Sequence, residues 1–528
     1  MHTPKLIGAD CELANFIQGL NRQAGSSELA SRALLREIEG LPAIQESEAS
    51  RNGTRATRGF EPHQWGRRFL PNGGAAYIDC HHLEVCTPEV RSAAEYVAAF
   101  HAMLRIADEA RQHADQKLQA SHSIQVMANT SDGRGNSFGS HLNVAITRRA
   151  FSDIFHRKWQ YLPWLASYQV SSVVFTGAGK VGSENGAPPA DFQLSQRADF
   201  MESISSLDTT AHRGLVNQRD EALSGNKEGE RARLHCIFYD SNLQETAAYL
   251  KAGVLQIILT MIEAGSVDLN LVLRDPLDAL AQISRDLTFT AKFATSTGAT
   301  FTVLELQLMF LEQASRFVAA GGCEGLVPEA DKVLGLWADT LEKLRAGKIA
   351  ELAYRLDWAL KLSIIGRILE SRKGLDFTSR EVRYADQLYA NLDTKKGLYW
   401  SFARSSPLER VVTPQQIEHL RTNPPETTRA WTRAMLLRRA KPETVADVDW
   451  DAITFHVREQ RGRSFRLYRR RFAMDDALGH SRSSSEHAFR SAASVEEVLD
   501  ELEGLTPAPG LGAPARFTGN RYEPRGHQ

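Results

Sequence analysis

The sequence predicts an α+β fold, with strands concentrated in the first half of the chain and helices in the second. Short runs of strand-forming residues bounded by turn residues recur up to about residue 240, whereas from Pro276 onward apolar residues recur with helical spacing. Strands and helices that are segregated along a chain are typical of this class. With 528 residues, 42% of them hydrophobic, the chain is long enough for two domains, or for one large domain with a helical one appended.

Composition argues against several classes of function. The 63 basic and 64 acidic residues leave a formal net charge of −1, so no global field favours nucleic acid or a membrane surface as partner. The first residues lack the pattern of a signal peptide, and no apolar run in the sequence approaches the ~18 residues of a membrane-spanning helix. Five cysteines make no even disulfide framework. We therefore expect a cytoplasmic protein.

The amino-terminal segment has the pattern of a strand over residues 5–13 and contains Asp10 and Glu12. Side chains two apart on a strand point to the same face, so both carboxylates are expected on one side of the sheet. A helix is predicted over residues 26–39, followed by a polar connection over residues 46–60.

The chemistry is expected in the stretch Asn72–Glu89, which opens on an Asn-Gly-Gly turn signal. Residues 76–80 then have strand character, with Tyr77 and Asp79 on one face. A carboxylate beside a phenol, followed closely by Glu84, suits a hard cation or an activated acyl group. The alternative is a polar strand end in which the aspartate only satisfies local hydrogen bonds.

A long helix is predicted over residues 91–120. Strand character at 124–128 and 144–146 then flanks a loop of small residues, and we expect a hairpin that places His141 and Asn143 on one face. Loops of this kind let backbone amides approach a phosphate, although most glycine-rich hairpins bind nothing.

Residues 170–175 are predicted to form a strand before the glycine-rich segment 176–182, which lacks the spacing of a P-loop. Two later arginines, Arg197 and Arg219, lie among short polar residues. Each can grip a phosphate in a bidentate manner or form half of a salt bridge, and the sequence leaves both interpretations open.

A strand over residues 233–240 carries His235, and Ser241 with Asn242 is expected to cap a helix over residues 243–263. The helical half follows. Its predicted helices span residues 276–288, 302–319, 328–345, 348–372, 379–392 and 424–440.

The last part of the chain contains a predicted strand at 450–457 and an arginine-rich run over residues 458–471 that includes Phe465 and Tyr468. The run can bind nucleic acid or an acidic protein, or it can be a solvated amphipathic strand. Residues 506–528 are proline-rich and are expected to form an unstructured tail.

The order of these motifs resembles the family that contains the ligase and the deamidase/depupylase of Pup, the small prokaryotic ubiquitin-like protein, among the glutamine synthetase-like carboxylate-amine ligases. The matching stretches cover most of the chain: residues 8–12, 72–89, 129–143, 175–181, 195–198, 217–221, 233–242, 250–251, 396–399 and 424–429. The two-residue gap between Asp79 and His82, and Phe-Thr-Gly-Ala-Gly at 175–179, look more like the deamidase/depupylase branch.

The resemblance implies a curved antiparallel sheet that cradles ATP and Mg²⁺ and is backed by helices. The catalytic domain would span residues 1–440, strand-rich over 1–265 and helical over 266–440. A small carboxy-terminal domain would follow over residues 441–505, and then the tail.

The resemblance also implies roles for individual residues. Asp79 matches the catalytic aspartate, which acts as base or nucleophile. Asp10, Tyr77 and Glu84 match the family's magnesium-site positions. Glu12, His141 and His235 are implied as further members of the same metal-lined sheet. Thr87 and Trp450 match ATP-contacting positions. Oxygen ligands of this kind hold Mg²⁺ on phosphate, and the fixed charge stabilises a transferring phosphoryl group or a developing oxyanion.

The implied activity is hydrolysis of the carboxy-terminal glutamine amide, or of the isopeptide bond, of a Pup-like modifier, with that modifier and modified proteins as partners. Two alternatives stay open. One is a ligase that joins the modifier's terminal glutamate to lysine, and the other is a catalytically silent binding protein. Ala75, in place of an ATP-contacting arginine, and Leu142, in place of a glutamate, motivate the latter. Two further departures from the family pattern are Asp10 in place of a glutamate and Ala222-Leu223 in place of Pro-His.

Two smaller hypotheses concern cysteines and the carboxy terminus. Thiols that lie in or beside the site motifs can recruit a softer metal, or can be small buried hydrophobes; they are Cys11, Cys80, Cys86 and Cys236. The final Gln528 resembles the glutamine ending of Pup itself, so the tail can reach a cleft, or the likeness is chance.

Overall fold

The computed structural model describes residues 2–20, 27–42, 65–220, 230–461 and 464–505. The predicted connection at 46–60 and the tail at 506–528 lie outside the described residues. The strands are β1 (Ile7–Gln18), β2 (Leu41–Pro42), β3 (Trp65–Phe69), β4 (Ala75–Asp79), β5 (His82–Cys86), β6 (Ser123–Met127), β7 (Ser140–Thr147), β8 (Lys180–Val181), β9 (Phe192–Gln193), β10 (Ser203–Ser206), β11 (Gly214–Asn217), β12 (Arg231–Cys236), β13 (Lys292–Ala294), β14 (Thr300–Thr302), β15 (Val445–Val448), β16 (Ala452–Arg461) and β17 (Ser464–Ala473).

The α-helices confirm the predicted change from strands to helices along the chain. They are α1 (Ser27–Glu37), α2 (Ala93–Asp115), α3 (Arg148–Ser152), α4 (Tyr161–Thr176), α5 (Glu245–Ala264), α6 (Pro276–Arg285), α7 (Val303–Ala319), α8 (Ala330–Arg345), α9 (Ile349–Leu352), α10 (Asp357–Ser371), α11 (Arg380–Tyr389), α12 (Leu398–Ser405), α13 (Pro414–Thr422), α14 (Arg429–Arg439), α15 (Arg482–Ser491) and α16 (Val495–Leu505).

One large sheet organises the first half of the chain, in the order β10-β11-β12-β7-β1-β5-β4-β3-β2, with β6 also paired to β1. The described pairs are antiparallel, apart from the parallel pair β10–β11. The fold is therefore α+β with an antiparallel-rich sheet, as predicted. The 12-residue β1 lies at its centre, since one half pairs with β5 and β7 and the other half with β6.

The hairpin predicted around the loop 129–143 is wrong. Strand β6 pairs with Ala14–Gln18 and strand β7 pairs with Ile7–Cys11, so the two lie one after the other along β1 instead of pairing with each other. A central strand of this length can accept both partners, and turn signals in the loop do not show which edge each strand joins.

The strand predicted at 170–175 is also wrong, because these residues belong to helix α4. Helix α4 is buried on nearly every side, with Trp164, Tyr168 and Phe175 at 0% exposure. A helix that is apolar all round shows no amphipathic period, and its short β-branched run looks like a buried strand.

Helix α5 forms the centre of the helical layer. It is 20 residues long and apolar enough to cross a membrane by length and composition, but 89% of its most apolar window is buried inside the protein. Core packing thus accounts for its apolar character.

The predicted capping of α5 by Ser241 and Asn242 is wrong. The carboxylate of Asp357 instead accepts hydrogen bonds from the backbone N–H groups of Leu243 (3.0 Å) and Gln244 (3.1 Å), and from Asn242 Nδ2 (3.1 Å). Asp357, distant in sequence, thus fixes the residues that lead into α5, and no side chain caps the helix at its N-cap residue Gln244.

The carboxy-terminal part, residues 441–505, contains the antiparallel strands β15–β17 and the helices α15 and α16. Its apolar side packs in one cluster against Phe69, Ala75 and Tyr77 of strands β3 and β4. The segment between β15 and β16 carries Trp450, which therefore lies over the large sheet. The domain boundaries at 440 and 505 stay predictions.

Candidate active site

Every predicted site residue lines one cleft of about 1990 Å³ on the face of the large sheet. These residues are Asp10, Glu12, Tyr77, Asp79, Glu84, Thr87, His141, Arg197, Arg219, His235 and Trp450. Strands β1, β4, β5, β7 and β12 form the floor, and the segment Asp449–Asp451 closes one end. Strand alternation correctly places the side chains two apart, such as Asp10 and Glu12, on this face.

Three carboxylates form the centre of the cleft. One oxygen each from Glu12, Asp79 and Glu84 lie within 4.8 Å of one another. The strand register produces this cluster, since Glu84 is the cross-strand partner of Glu12 on one side and of Tyr77 on the other. Three oxygen ligands at this separation can hold a hard divalent cation such as Mg²⁺.

A tight turn holds Asp79 at the end of β4. Cys80 (φ 44°) and His81 (φ 74°) both adopt the left-handed conformation, and the two-residue turn sets Asp79 opposite His82. This geometry matches the right-handed twist of a hairpin, although it costs roughly 1–2 kcal/mol for each residue with a side chain. The turn thus fixes the aspartate backbone beside the other two carboxylates.

Electrostatics of the cluster support a cation site. Burial raises the pKa of Glu12, and burial followed by the charges of Asp10, Glu12 and Asp79 raises that of Glu84 well above its ordinary value. Burial also raises the pKa of Tyr77, whose phenol donates a 2.5 Å hydrogen bond to Glu84 Oε1. Adding a divalent cation would offset this repulsion, so the donor set fits a Mg²⁺ ion.

The two histidines extend this site along the neighbouring strands. His141 Nδ1 lies 3.2 Å from Asp10 Oδ1, and its ring centroid lies 4.8 Å from that of His235. His235 Nδ1 in turn lies 2.7 Å from Asn143 Oδ1. These residues line the same cleft as the three carboxylates, and the charges of Arg233, Arg219 and Arg197 act on His235.

Gly139 is required for this close packing. A Cβ atom at Gly139 would lie 2.6 Å from Glu12 Oε1 and 2.6 Å from His141 Cε1. The backbone carbonyl of the same residue accepts a 3.0 Å hydrogen bond from the Glu12 N–H. A side chain here would displace the carboxylate, so only glycine fits.

Arginines line the same cleft as the carboxylates, and the charge of Arg197 acts on Glu12. The lining includes Arg197, Arg213, Arg219 and Arg233. Burial, followed by the charge of Arg213, lowers the pKa of Arg197 to about 10. Burial, with the charges of Arg233 and its neighbours, lowers the pKa of His235 well below its usual range. Fixed positive charge of this kind suits phosphate or carboxylate groups.

The predicted nucleotide-contacting residues lie towards the other end of the cleft. The Thr87 hydroxyl accepts a 2.9 Å hydrogen bond from the Ala9 N–H, which ties it to β1. The guanidinium carbon of Arg433 lies 4.9 Å from the Trp450 ring centroid, and Arg433 donates to Glu89 at 2.6 Å. The indole is thus held between the sheet and a buried ion pair.

The departures from the family pattern have different structural consequences. Leu142 is 1% exposed and belongs to the apolar core on the opposite face of β7 from His141, so it does not contact the cleft. Asp10 retains its place beside His141. Ala75 is fully buried in the cluster below the carboxy-terminal part and offers no charge to the cleft.

Of the four cysteines near the site motifs, Cys80 and Cys86 line the cleft, whereas Cys11 and Cys236 belong to the apolar core. Cys11 and Cys236 are buried, and burial raises the pKa of each thiol to about 12. Protonated thiols are poor metal ligands, and the cluster of close carboxylates contains no cysteine among the described residues. This arrangement favours the interpretation as small hydrophobes.

Some lining residues were missed by sequence reasoning. Arg67, Arg213 and Arg233 line the cleft, and Glu89 anchors one end of it. Arg233 is two residues from His235 on the same strand, so alternation alone would have placed it on this face. Arg67 lies in β3, a strand that the sequence analysis did not predict, and Arg213 lies just before β11, also unpredicted, so neither had a predicted face.

A family model described as Pup-ligase protein matches residues 5–454. A Pup deamidase/depupylase of Mycolicibacterium smegmatis is 34% identical over 391 residues, which is 74% of this chain and 75% of that protein. A Pup–protein ligase of Kocuria rhizophila is 34% identical over 427 residues, which is 78% of this chain and 87% of that protein. Relatives of both names are thus equally similar to this chain.

Solved structures show the same fold. The Pup ligase PafA in its complex with Pup superposes with a TM-score of 0.74 and 22% identity, over 95% of this chain and 92% of that one. PafA in complex with ADP superposes with a TM-score of 0.67 and 22% identity, over 87% of this chain and 99% of that one.

Proposed function

This chain belongs to the Pup-ligase protein family, and we propose that it is a cytoplasmic enzyme that hydrolyses the carboxy-terminal glutamine amide, or the isopeptide bond, of a Pup-like modifier. One observation carries the proposal. Asp79 lies with Glu12 and Glu84 in a carboxylate cluster, in a single cleft that arginines also line. A hydrolase of this type needs both a metal-binding face and an anion-binding face.

Different residues of the cleft would bind the metal ion and the nucleotide. Glu12, Glu84 and Tyr77 would hold Mg²⁺, and Arg197 with Arg219 would hold phosphate oxygens of ATP. Bound Mg²⁺ supplies positive charge that stabilises a transferring phosphoryl group or an oxyanion. That a solved protein of this fold, PafA, is in complex with ADP supports a nucleotide here.

Asp79 would perform the chemical step on the modifier. Its carboxylate either accepts a proton from water as the water oxygen bonds to the carbonyl carbon, or attacks that carbon itself. In the first case protonated Asp79 gives its proton to the nitrogen as the C–N bond breaks. In the second case the nitrogen takes a proton from solvent as it leaves, and water then hydrolyses the anhydride formed with Asp79. The nitrogen leaves as ammonia from the glutamine amide or as the lysine amine from the isopeptide, and the modifier keeps a glutamate carboxylate. The tight Cys80–His81 turn holds the attacking group in place.

Two observations support an active enzyme over a silent one. Leu142 faces the core, so its substitution leaves the cleft unchanged, and Asp10 still reaches His141. The same cleft also suits the reverse reaction, which the equal identity of a Pup–protein ligase keeps as the second candidate. In that reaction the modifier's terminal glutamate is activated by ATP and captured by a lysine amine.

The test is to incubate the protein with Mg²⁺, ATP and a Pup modifier that ends in glutamine, and to follow the intact mass. We expect conversion of glutamine to glutamate by the wild type, none by Asp79→Asn, and normal conversion by Asp475→Asn, which alters an exposed acid outside the cleft. Conjugate formation with stoichiometric ADP release from a glutamate-ending modifier would instead establish ligation. Equal conversion by Asp79→Asn would overturn the proposed role of Asp79.

A further inference from the structure

Arg67 is a cleft residue to which neither the sequence motifs nor the preceding proposal assign a role. It lies on β3, two residues before Phe69, whose cross-strand partner is Ala75. Side chains two apart on a strand share a face, so Arg67 is on the same face as Ala75 and Tyr77. The side chain is only 8% exposed and lines the cleft.

A bulge in β3 aims this side chain. Trp65 pairs with Ile78 but Arg68 pairs with Ala76, so one extra residue is inserted into β3 between them. Gly66 has φ +68°, in the left-handed region, and a Cβ atom there would lie 2.9 Å from Leu35 Cδ2. Bulges with a left-handed glycine re-aim the following side chain, and they are frequent next to active sites.

The guanidinium of Arg67 lies between the carboxylate cluster and the Trp450 end of the cleft. Its carbon is 5.3 Å from the Tyr77 ring centroid, and its Nη1 is 3.4 Å from Asp449 Oδ1, next to Trp450 in sequence. An N⁺–H···O⁻ hydrogen bond is ordinarily ~2.7–2.9 Å long, so the contact with Asp449 is a loose one. Asp449 is itself 35% exposed and can turn to water.

Two further arginines near this end, Arg429 and Arg433, form ion pairs with Glu89. Arg429 donates to Glu89 at 2.8 Å and Arg433 donates to Glu89 at 2.6 Å. A polyphosphate that ran from Trp450 towards Glu84 would approach several carboxylates, and it needs positive charge there in addition to a metal ion. The bulge in β3 places the Arg67 guanidinium there, between Tyr77 and Asp449.

We propose that Arg67 binds the phosphate chain of the nucleotide, exchanging its loose contact with Asp449 for phosphate oxygens. Ala75, buried two residues before Tyr77, offers no charge at this place, and the neighbouring strand supplies it instead. The inference rests on the proposed function, because it requires a nucleotide in the cleft.

The experiment is a direct binding measurement by calorimetry, with Mg²⁺–ATP and with adenosine as separate ligands. Arg67→Gln is expected to weaken the affinity for ATP by ~10- to 100-fold, because a charge-assisted hydrogen bond to phosphate is lost. Adenosine affinity is expected to be unchanged, and Arg67→Lys should recover part of the loss. The matched control is Arg68→Gln, since Arg68 donates to the Ile38 carbonyl at 3.1 Å, away from the cleft.

Each other outcome has a distinct meaning. If Arg67→Gln binds ATP as tightly as the wild type, the inference is wrong while the proposed function stands. If Arg67→Gln weakens the affinities for ATP and for adenosine equally, Arg67 only supports the structure of the Trp450 end of the cleft, and the inference is also wrong. If the wild type binds no nucleotide, both the inference and the nucleotide requirement of the proposed function fail.

Discussion

The phenol of Tyr77 donates a 2.5 Å hydrogen bond to Oε1 of Glu84, its cross-strand partner. Burial raises the pKa of Tyr77 well above its usual value, so the phenol keeps its proton at neutral pH and acts as the donor. The bond orients Glu84 towards Glu12 and Asp79, with which it forms the carboxylate cluster. Removing the hydroxyl should therefore affect metal binding.

We expect Tyr77→Phe to raise the Mg²⁺ concentration at the midpoint of ATP binding by about 10-fold, because Glu84 loses the hydrogen bond that orients it. A magnesium titration of ATP affinity measures this effect. Tyr384→Phe is the control, since that phenol is 63% exposed at the edge of the same cleft. An unchanged magnesium midpoint for Tyr77→Phe would show that the phenol does not orient a metal ligand.

A second prediction concerns the buried ion pair behind Trp450. Arg433 donates to Glu89 Oε2 at 2.6 Å and to the Trp450 carbonyl at 2.8 Å, and its side chain is 0% exposed. Arg433→Met should lower the free energy of unfolding by ~3–5 kcal/mol, because Glu89 loses a buried partner. Arg490→Met should cost less than ~1 kcal/mol, since Arg490 is 73% exposed.

Denaturant unfolding of both variants gives the comparison. Adding Glu89→Gln to Arg433→Met should cost less than Glu89→Gln costs in the wild type, because among the described residues Glu89 then has only Arg429 as its ionic partner, at 2.8 Å. If Glu89→Gln lowers the free energy of unfolding by the same amount in the wild type and in Arg433→Met, the two residues are not coupled.

The same carboxylate predicts an acid-dependent loss of stability. Burial alone would raise the pKa of Glu89, but the charges of Arg433 and Arg429 outweigh it and lower the pKa to about 2. Because the folded pKa lies below the unfolded value, the contribution to stability is complete above about pH 4.5 and is lost as the pH falls towards 2. It amounts to roughly 3 kcal/mol.

Unfolding free energies of the wild type and Glu89→Gln, measured from neutral pH down to acid, test this expectation. The difference between them should shrink as the pH falls through this range. A difference that stays constant with pH would mean that Glu89 has an ordinary pKa in the folded protein.

A further prediction concerns the start of helix α5. Asp357 accepts hydrogen bonds from two backbone N–H groups, from Asn242 and from the Tyr389 hydroxyl (2.9 Å). Asp357→Ala should lower the free energy of unfolding by ~2–5 kcal/mol, because buried donors are left unpaired. Asp275→Ala removes an ordinary N-cap of α6 and should cost only ~0.5–2 kcal/mol. Equal costs in denaturant unfolding would contradict the special role of Asp357.

Much of the site could be predicted from local pattern. Alternation along a strand places Tyr77 with Asp79, Asp10 with Glu12, and His141 with Asn143, and all six line the cleft. Segregation of strands and helices likewise predicts the α+β class. These are short-range properties, because the direction of a side chain depends on the backbone of its own strand.

Other features depend on neighbours that are distant in sequence. The pairing of β6 and β7 with successive halves of β1, instead of with each other, depends on which strand edges are available. Because α4 is buried on nearly every side, its sequence shows no amphipathic helical period. Asp357 accepts hydrogen bonds from the residues before α5 because packing places the first residue of α10 beside them.

The sequence by itself therefore determined the class of fold and which carboxylates share a face of the sheet. Only the tertiary structure decided that Glu12, Asp79 and Glu84 come within 4.8 Å of one another, and that Arg67 enters the same cleft through a bulge at Gly66. The physical reason is that strand order and register arise from long-range packing, whereas side-chain alternation is set by the local backbone.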